Sequence, residues 1–271
     1  MDRSDHYKYA QQNLLLLNQQ ISMVKKSAQE AIGKHAWQEE NNYTIHQLKA
    51  SQREVLAATR LYTFLICSWL EARIYKIFYE NSSCAFTDSE IDSIMYGDRQ
   101  RKRTMEEIWK LSFSAAVQKS YGFSSHPGVD YDYSSEFTTG SLSLSNYQTI
   151  RSLFSDVADA ITVRNRLAHG QWDIQFNSSN TAIAHYPLLT QYNNIQKLGL
   201  LKDNFDQIGE IISMYVTYKD KQNPNFDNIV AKKIQIIFDK KKKAQNMSYA
   251  KYTACLKNAH AKEKLRHKGQ F

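Results

Sequence analysis

Apolar residues recur every three to four positions along most of the chain, which is the spacing of amphipathic α-helices. The longest segments with this spacing are residues 7–37, 45–79 and 193–219. The second half of 45–79 is apolar on nearly every side, as expected for a helix in the centre of a bundle. The pattern therefore predicts a helical protein with long helices.

Shorter helices are predicted by four capping boxes, in which Ser or Thr is followed three residues later by Glu or Gln. The four pairs are Thr44–Gln47, Thr87–Glu90, Thr104–Glu107 and Ser145–Gln148. They predict helix starts near residues 45, 88, 105 and 146. The last of these helices is predicted to run to His169.

Two stretches lack a helical pattern. Residues 120–145 are rich in Ser, Thr, Gly and Tyr, and they exceed the length of an ordinary connection. They form either a lid or a disordered loop, and disorder is favoured because the apolar anchors are few, namely Phe123, Phe137, Leu142 and Leu144. Residues 172–186 contain two alternating runs around a polar turn, which predicts a β-hairpin.

The fold class is thus all-α, a helical bundle with long antiparallel helices and a small β-hairpin. Three regions are predicted. Residues 1–40 form an N-terminal helix, 41–220 the helical core, and 221–271 a Lys-rich helical segment.

The net charge of +8 is concentrated at one end of the chain. Residues 231–271 hold twelve Lys or Arg against two acidic residues, a balance of +10, so the preceding residues carry −2. Binding to a polyanion would therefore depend on this segment and on local clusters.

Other features of the composition indicate a soluble cytoplasmic protein. The three cysteines have no metal-type spacing and fit a reducing compartment. Residues 1–6 lack the apolar stretch of a signal peptide. The longest apolar run, 61–70, is shorter than the roughly 20 residues that span a bilayer. We expect no membrane association, no cofactor and no metal site.

The main candidate for a functional site is Val163–Trp172, where Arg164-Asn165 is followed by His169 and Gly170. Chance alone would give Arg-x4-His about 0.3 times in this composition, and about 0.02 times with Asn after the Arg. Gly170 is expected to be the left-handed residue that closes the helix. A purely structural interpretation is that the cationic side chains stabilise the negative end of the helix dipole.

These residues resemble the motif of the HEPN superfamily, whose nucleases carry Arg, often followed by Asn, and then His. The resemblance implies a helical, usually dimeric, metal-independent endoribonuclease, with Arg164, Asn165 and His169 as its catalytic residues. Such enzymes act in toxin–antitoxin, abortive-infection and antiviral defence systems. The resemblance therefore implies an RNA substrate, a homodimer or higher even oligomer, and an antitoxin or regulatory partner.

The family pattern also bears on two neighbouring positions. One branch, regulated by a nucleotidyltransferase, has Tyr two residues after the His. Gln171 stands there in this chain, so that regulation is not expected. Many members carry an acidic residue that supports the catalytic Arg. Glu71 is the candidate, and pairing with Arg73 or Arg60 is the equal alternative.

The residue types suit RNA cleavage by attack of the 2′-OH. Histidine can accept and donate protons near neutral pH, and Arg can bind two phosphate oxygens. On an ideal helix Arg164 and His169 lie about 140° apart, whereas residues four apart share a face. We therefore expect Asn165 to orient His169, with Arg164 reaching into the same cleft. One motif supplies one His, which suggests two copies facing each other.

Other basic residues receive weaker assignments. Arg166 is expected to face solvent or RNA phosphate. The run Lys240, Lys241, Lys242 and Lys243 is predicted to contact RNA without reading its sequence. The basic residues 99–103 are expected to be a solvated helix entry, with phosphate binding as the lesser alternative. His126 is expected to be solvated, although it could approach the cleft, and His185 is expected to be structural.

Two other functions remain open on sequence grounds. The chain could be a non-catalytic helical adaptor or RNA-binding module, in which Arg164 and His169 serve stability. A weaker alternative is a DNA-binding regulator that uses the Lys-rich end, although no helix-turn-helix pattern supports it.

Overall fold

The fold is all-α in the part of the chain that the structure describes. The structure is a computed structural model, and it describes residues 2–82, 85–97, 102–172, 194–217 and 225–267. Within these ranges an isolated antiparallel bridge between Tyr96 and Lys102 is the one β-type pairing. The predicted hairpin lies outside the described residues apart from Trp172, which is in a bend.

The helices follow the predicted order. In chain order they are α1 (Arg3–Glu40), α2 (Ile45–Phe78), α3 (Asp88–Met95), α4 (Met105–Tyr121), α5 (Leu142–Ser152), α6 (Ala160–Ala168), α7 (Ile195–Thr217), α8 (Phe226–Gln245) and α9 (Tyr249–His267). Two short 3-10 turns lie at Tyr133–Glu136 and Phe154–Val157. The long helices α1, α2 and α7 match their predicted bounds to within a few residues.

Three of the four predicted capping boxes are confirmed. In each, the hydroxyl oxygen accepts the backbone N–H three residues on, and the Glu or Gln side chain accepts the N–H of the capping residue. The three pairs are Thr44–Gln47, Thr87–Glu90 and Thr104–Glu107. These local contacts set the starts of α2, α3 and α4 because they satisfy N–H groups that a helix leaves unpaired.

The predicted continuous helix from 146 to 169 is wrong. The helix starts earlier, at Leu142, because the Ser141 hydroxyl accepts the N–H of Leu144 at 3.2 Å. It ends at Ser152, and a 3-10 turn over Phe154–Val157 precedes α6. The two central residues of that turn are Ser and Asp, which are weak helix formers. The motif therefore lies on a helix of nine residues.

The prediction that residues 120–145 favour disorder is also wrong. Tyr121, Phe123 and Phe137 form a group of edge and stacked ring contacts with centroids 5.2–5.4 Å apart. Tyr133 is 2% exposed, and its N–H donates to the Tyr147 hydroxyl at 3.0 Å. Ring contacts hold this segment, and they include the two aromatic anchors Phe123 and Phe137.

The chain divides into two compact units. Unit 1 comprises residues 1–16, 68–161 and 201–240. Its centre is an aromatic core, in which Trp109 packs edge-on to Phe205 at 5.0 Å. Phe113 contacts the rings of Tyr147 and Tyr215 in the same core.

Unit 2 comprises residues 17–67, 162–200 and 241–271. In this unit α9 lies close against α1, since a Cβ added at Gly33 would meet the Leu256 carbonyl oxygen at 2.6 Å. The amide of Gln29 donates to the Tyr252 hydroxyl at 2.8 Å. Unit 2 also holds the candidate motif, on the part of α6 that begins at Thr162.

Among the described residues, one helix is long and apolar enough to cross a membrane, namely α2. Half of its apolar window is buried within the protein. The central helix of a globular protein has the same length and composition, so α2 does not indicate a membrane protein.

Substitution of Gly33 tests the close contact between α1 and α9. Alanine favours a helix by about 1 kcal/mol over Gly, but the added methyl would force α9 away at a cost of about 1–3 kcal/mol. We expect Gly33→Ala to lower the melting temperature by about 2–4 °C, measured by circular dichroism. Ser22→Ala, at an exposed position of the same helix, is the control. A higher melting temperature for Gly33→Ala would contradict the close contact.

Candidate functional site

The motif helix ends in a closed turn. Gly170 has a left-handed backbone with φ of 78°, which confirms its predicted position after the helix. Its N–H donates to the Leu167 carbonyl at 3.2 Å, and the N–H of Gln171 donates to the Arg166 carbonyl at 3.0 Å. This pair of bonds is a Schellman motif, which satisfies carbonyls that the helix leaves free. The backbone around His169 is thereby fixed.

The side chain of Asn165 contacts Arg164. Its Oδ1 accepts hydrogen bonds from Nε of Arg164 at 3.2 Å and from Nη2 at 2.9 Å. Its bond to His169 is through the backbone, where the His169 N–H donates to the Asn165 carbonyl at 3.0 Å. The structure therefore corrects the expectation that Asn165 orients the His169 ring, because its amide oxygen holds the guanidinium instead.

His169 is the first residue after α6, and its side chain is exposed. Within the described residues no hydrogen bond joins it to Arg164 or to Asn165 through side chains. Arg164 is half-buried, so the two residues differ in their access to solvent. Solvent therefore reaches the imidazole directly.

The Cys67 thiol forms part of the surroundings of Arg164. Burial raises the pKa of this thiol to about 12, while the positive charge of Arg164 acts in the opposite direction. The thiol is 1% exposed and is protonated at neutral pH. It serves as a neutral, buried neighbour of the guanidinium and not as a nucleophile.

A buried arginine holds the chain directly after the motif. Arg60 on α2 is 4% exposed, and its Nε donates to the Trp172 carbonyl at 3.0 Å. The Trp172 indole N–H donates back to the Leu167 carbonyl at 2.8 Å. We call Arg60, Leu167 and Trp172 the clasp. The clasp fixes both sides of the His169 turn.

Sequence reasoning missed the clasp. Arg60 was considered only as a possible partner for Glu71. Its charge on a largely apolar helix was the available signal, since a buried guanidinium needs acceptors. The acceptor itself lies 112 residues away, and no local pattern indicates it.

Glu71 has a partner that neither interpretation named. Its carboxylate lies 2.6 Å from Nζ of Lys102, and both residues belong to unit 1. Arg73, one of the proposed alternatives, pairs with Asp206 at 3.3 Å. The supporting role of Glu71 for Arg164 stays a prediction.

The remaining basic candidates are distributed along two helices. Arg166 is half-buried on α6. On α8, Nζ of Lys240 lies 3.5 Å from Asp203, and Lys242 and Lys243 are exposed in the last turn. Their contact with RNA stays a prediction.

Two residues that were expected to be solvated instead make contacts within unit 1. His126 stacks on Tyr131 with ring centroids 3.9 Å apart. Arg103, from the basic run 99–103, donates to the Gly128 carbonyl at 2.7 Å. Residues 99–101 and His185 lie outside the described residues.

The comparisons with known proteins add no relative. No family model, no curated protein and no solved structure matches the chain. Across the ranges that the structure describes, no three His, Cys, Asp or Glu side chains are grouped as metal ligands would be. The resemblance to the HEPN superfamily thus rests on the motif residues themselves.

Removal of Arg60 tests the clasp. Arg60→Ala deprives the half-buried Trp172 carbonyl of a donor, a loss of about 1–3 kcal/mol. We expect the melting temperature to fall by several degrees, at about 2–4 °C per kcal/mol. Arg53→Ala, an exposed arginine on the same helix, should leave it unchanged. Equal melting curves for the two variants would show that the clasp contributes no stability.

Proposed function

We propose that this protein is a metal-independent endoribonuclease of the HEPN type. The observation that carries the proposal is the arrangement at the end of α6, where Asn165 holds the Arg164 guanidinium through two hydrogen bonds. His169 follows on an exposed turn with a fixed backbone. One motif thus carries a positioned cation and an accessible imidazole, two groups that phosphodiester cleavage can use.

The proposed reaction is attack of the RNA 2′-OH on the adjacent phosphate. One His169 accepts the 2′-OH proton, and a second protonates the leaving 5′ oxygen. Arg164 stabilises the negative charge that grows on the phosphate oxygens, and Asn165 keeps its guanidinium in place. The products are a 2′,3′-cyclic phosphate and a free 5′-OH.

The two proton transfers support a dimer. One chain supplies a single motif, and a base and an acid on opposite sides of the phosphate need two histidines. We therefore propose that Arg164 and His169 of two protomers line one composite cleft. The resemblance further suggests a cytoplasmic toxin or anti-phage effector that a regulatory partner restrains.

Cleavage of RNA in EDTA tests the proposal. Purified protein should cut RNA and leave cyclic phosphate ends, and His169→Ala should cut about 10²–10⁴ times more slowly because proton transfer is lost. His46→Ala replaces an exposed histidine on α2 and should retain full activity. The measurements are gel assays and mass spectrometry of the 3′ ends.

Melting curves of His169→Ala and of a further variant, Arg164→Ala, distinguish the adaptor interpretation. Because His169 is exposed, His169→Ala should melt within about 1–2 °C of the wild type. An adaptor would instead show no cleavage and a marked loss of stability in the Arg164→Ala and His169→Ala variants. Cleavage that His169→Ala leaves intact would refute the assignment of the motif.

Substitution of Asn165 tests its role as a positioning residue. Asn165→Ala removes both acceptor contacts to Arg164, so we expect kcat to fall roughly tenfold while KM changes less. Asn165→Gln retains an amide oxygen on a longer side chain and should recover part of the loss. A change confined to KM would mean that Asn165 binds RNA directly.

A further inference from the structure

The C-terminal helix α9 has two faces with different uses for its basic residues. Its inner face docks on the rest of unit 2 through lysines. Lys257 pairs with Glu40, and the Lys264 ammonium lies 3.9 Å from the ring centroid of Trp37. The same ammonium donates to the Tyr43 hydroxyl at 3.2 Å. These two charges are occupied by contacts within the unit.

The outer face carries a second set of basic residues. Lys251, Lys262 and Arg266 are exposed, at separations of 11 and 4 residues. At 100° per residue these separations place the three within about 60° of one another around the helix. Glu263, the acidic residue of α9, is also exposed. We call Lys251, Lys262 and Arg266 the outer basic face.

Helix α9 contributes little buried surface to the protein core. None of its 19 residues is fully buried, and its contacts with α1 and with the turn before α2 are largely polar. The outward-facing cations of α9 therefore do not stabilise a buried surface of this helix. An ordered helix that presents a row of cations is a feature of surfaces that bind polyanions.

We infer that the outer basic face binds the backbone phosphates of single-stranded RNA. This inference rests on the proposed function, since it assigns the surface that holds the substrate of the motif. The residues preceding 231 carry a net charge of −2, so the C-terminal segment is the main source of long-range attraction for RNA. Lys and Arg contacts to phosphate supply affinity without reading the bases.

A membrane surface fits this face less well. Helices that lie on anionic membranes combine basic residues with a continuous apolar face of large side chains. The large apolar residues exposed on α9 are Tyr249 and Leu265, sixteen positions apart. Between Lys251 and Lys262 the exposed positions are Ala254, Cys255, Asn258 and Ala259. Phosphates of RNA are therefore the favoured partner.

RNA binding without cleavage tests the inference. The probe is a labelled 2′-O-methyl oligouridine of 20 nucleotides, which lacks the attacking hydroxyl, so binding is measured independently of catalysis. The test variant combines Lys251→Gln, Lys262→Gln and Arg266→Gln. The control combines Lys49→Gln, Arg53→Gln and Lys197→Gln, which remove the same charge from exposed positions of unit 2.

We expect the test variant to lose three phosphate contacts. Each contact contributes about 0.7 to the slope of log K against log salt for a single strand, so the slope should fall by about 2 and affinity at 0.1 M salt by roughly a hundredfold. The control should change affinity by less than about threefold. A charge-preserving variant, with Lys251→Arg, Lys262→Arg and Arg266→Lys, should bind RNA with wild-type affinity. All of these variants should have the melting temperature of the wild type.

Equal losses in the test and control variants would overturn the inference, since the effect would then be one of net charge. Wild-type affinity in the test variant would overturn it as well. If the wild type bound phosphatidylserine vesicles through these residues and did not bind RNA, that result would also overturn the inference. RNA binding by the outer basic face without any cleavage would support the inference while contradicting the proposed nuclease.

Discussion

The structure of the candidate site depends on the desolvation of one arginine. Arg60 is 4% exposed, and a guanidinium taken out of water is costly unless its N–H groups find acceptors. The Trp172 carbonyl provides an acceptor at 3.0 Å, two residues beyond Gly170. The need to satisfy Arg60 therefore determines the path of the chain as it leaves the motif helix.

That path gives the motif residues different environments. The carbonyl of Leu167 receives both the Gly170 N–H and the Trp172 indole, so the turn is held from two directions. His169 is left on the solvent side, while Arg164 remains half-buried beside Cys67. Holding Arg164 in one orientation before a ligand arrives lowers the entropy lost on phosphate binding. The exposed imidazole of His169 stays accessible to the 2′-OH proton of a bound substrate.

The features that could be predicted from sequence are the local ones. The left-handed Gly170 and three capping boxes depend on neighbouring residues, and all were predicted correctly. The start of α5 was not, although its cap is local, because the Ser141 hydroxyl accepts the N–H of Leu144 and position 144 lacks the Glu or Gln of a capping box. The contact of Arg60 was missed because its acceptor lies 112 residues away. The contact from Asn165 to Arg164 joins adjacent residues, which do not ordinarily face each other on a helix.

Charge in the C-terminal segment illustrates why composition alone does not locate a binding surface. Of its basic residues, Lys233 pairs with Glu210, Lys240 with Asp203 and Lys257 with Glu40. An ion pair presents a dipole to a ligand and not a net charge, and its field is screened within about 10 Å at moderate salt. A polyanion therefore responds to the cations that face solvent without a partner carboxylate nearby. On α9 the inner lysines hold the helix in place, and that docking is what gives the outer cations a fixed geometry.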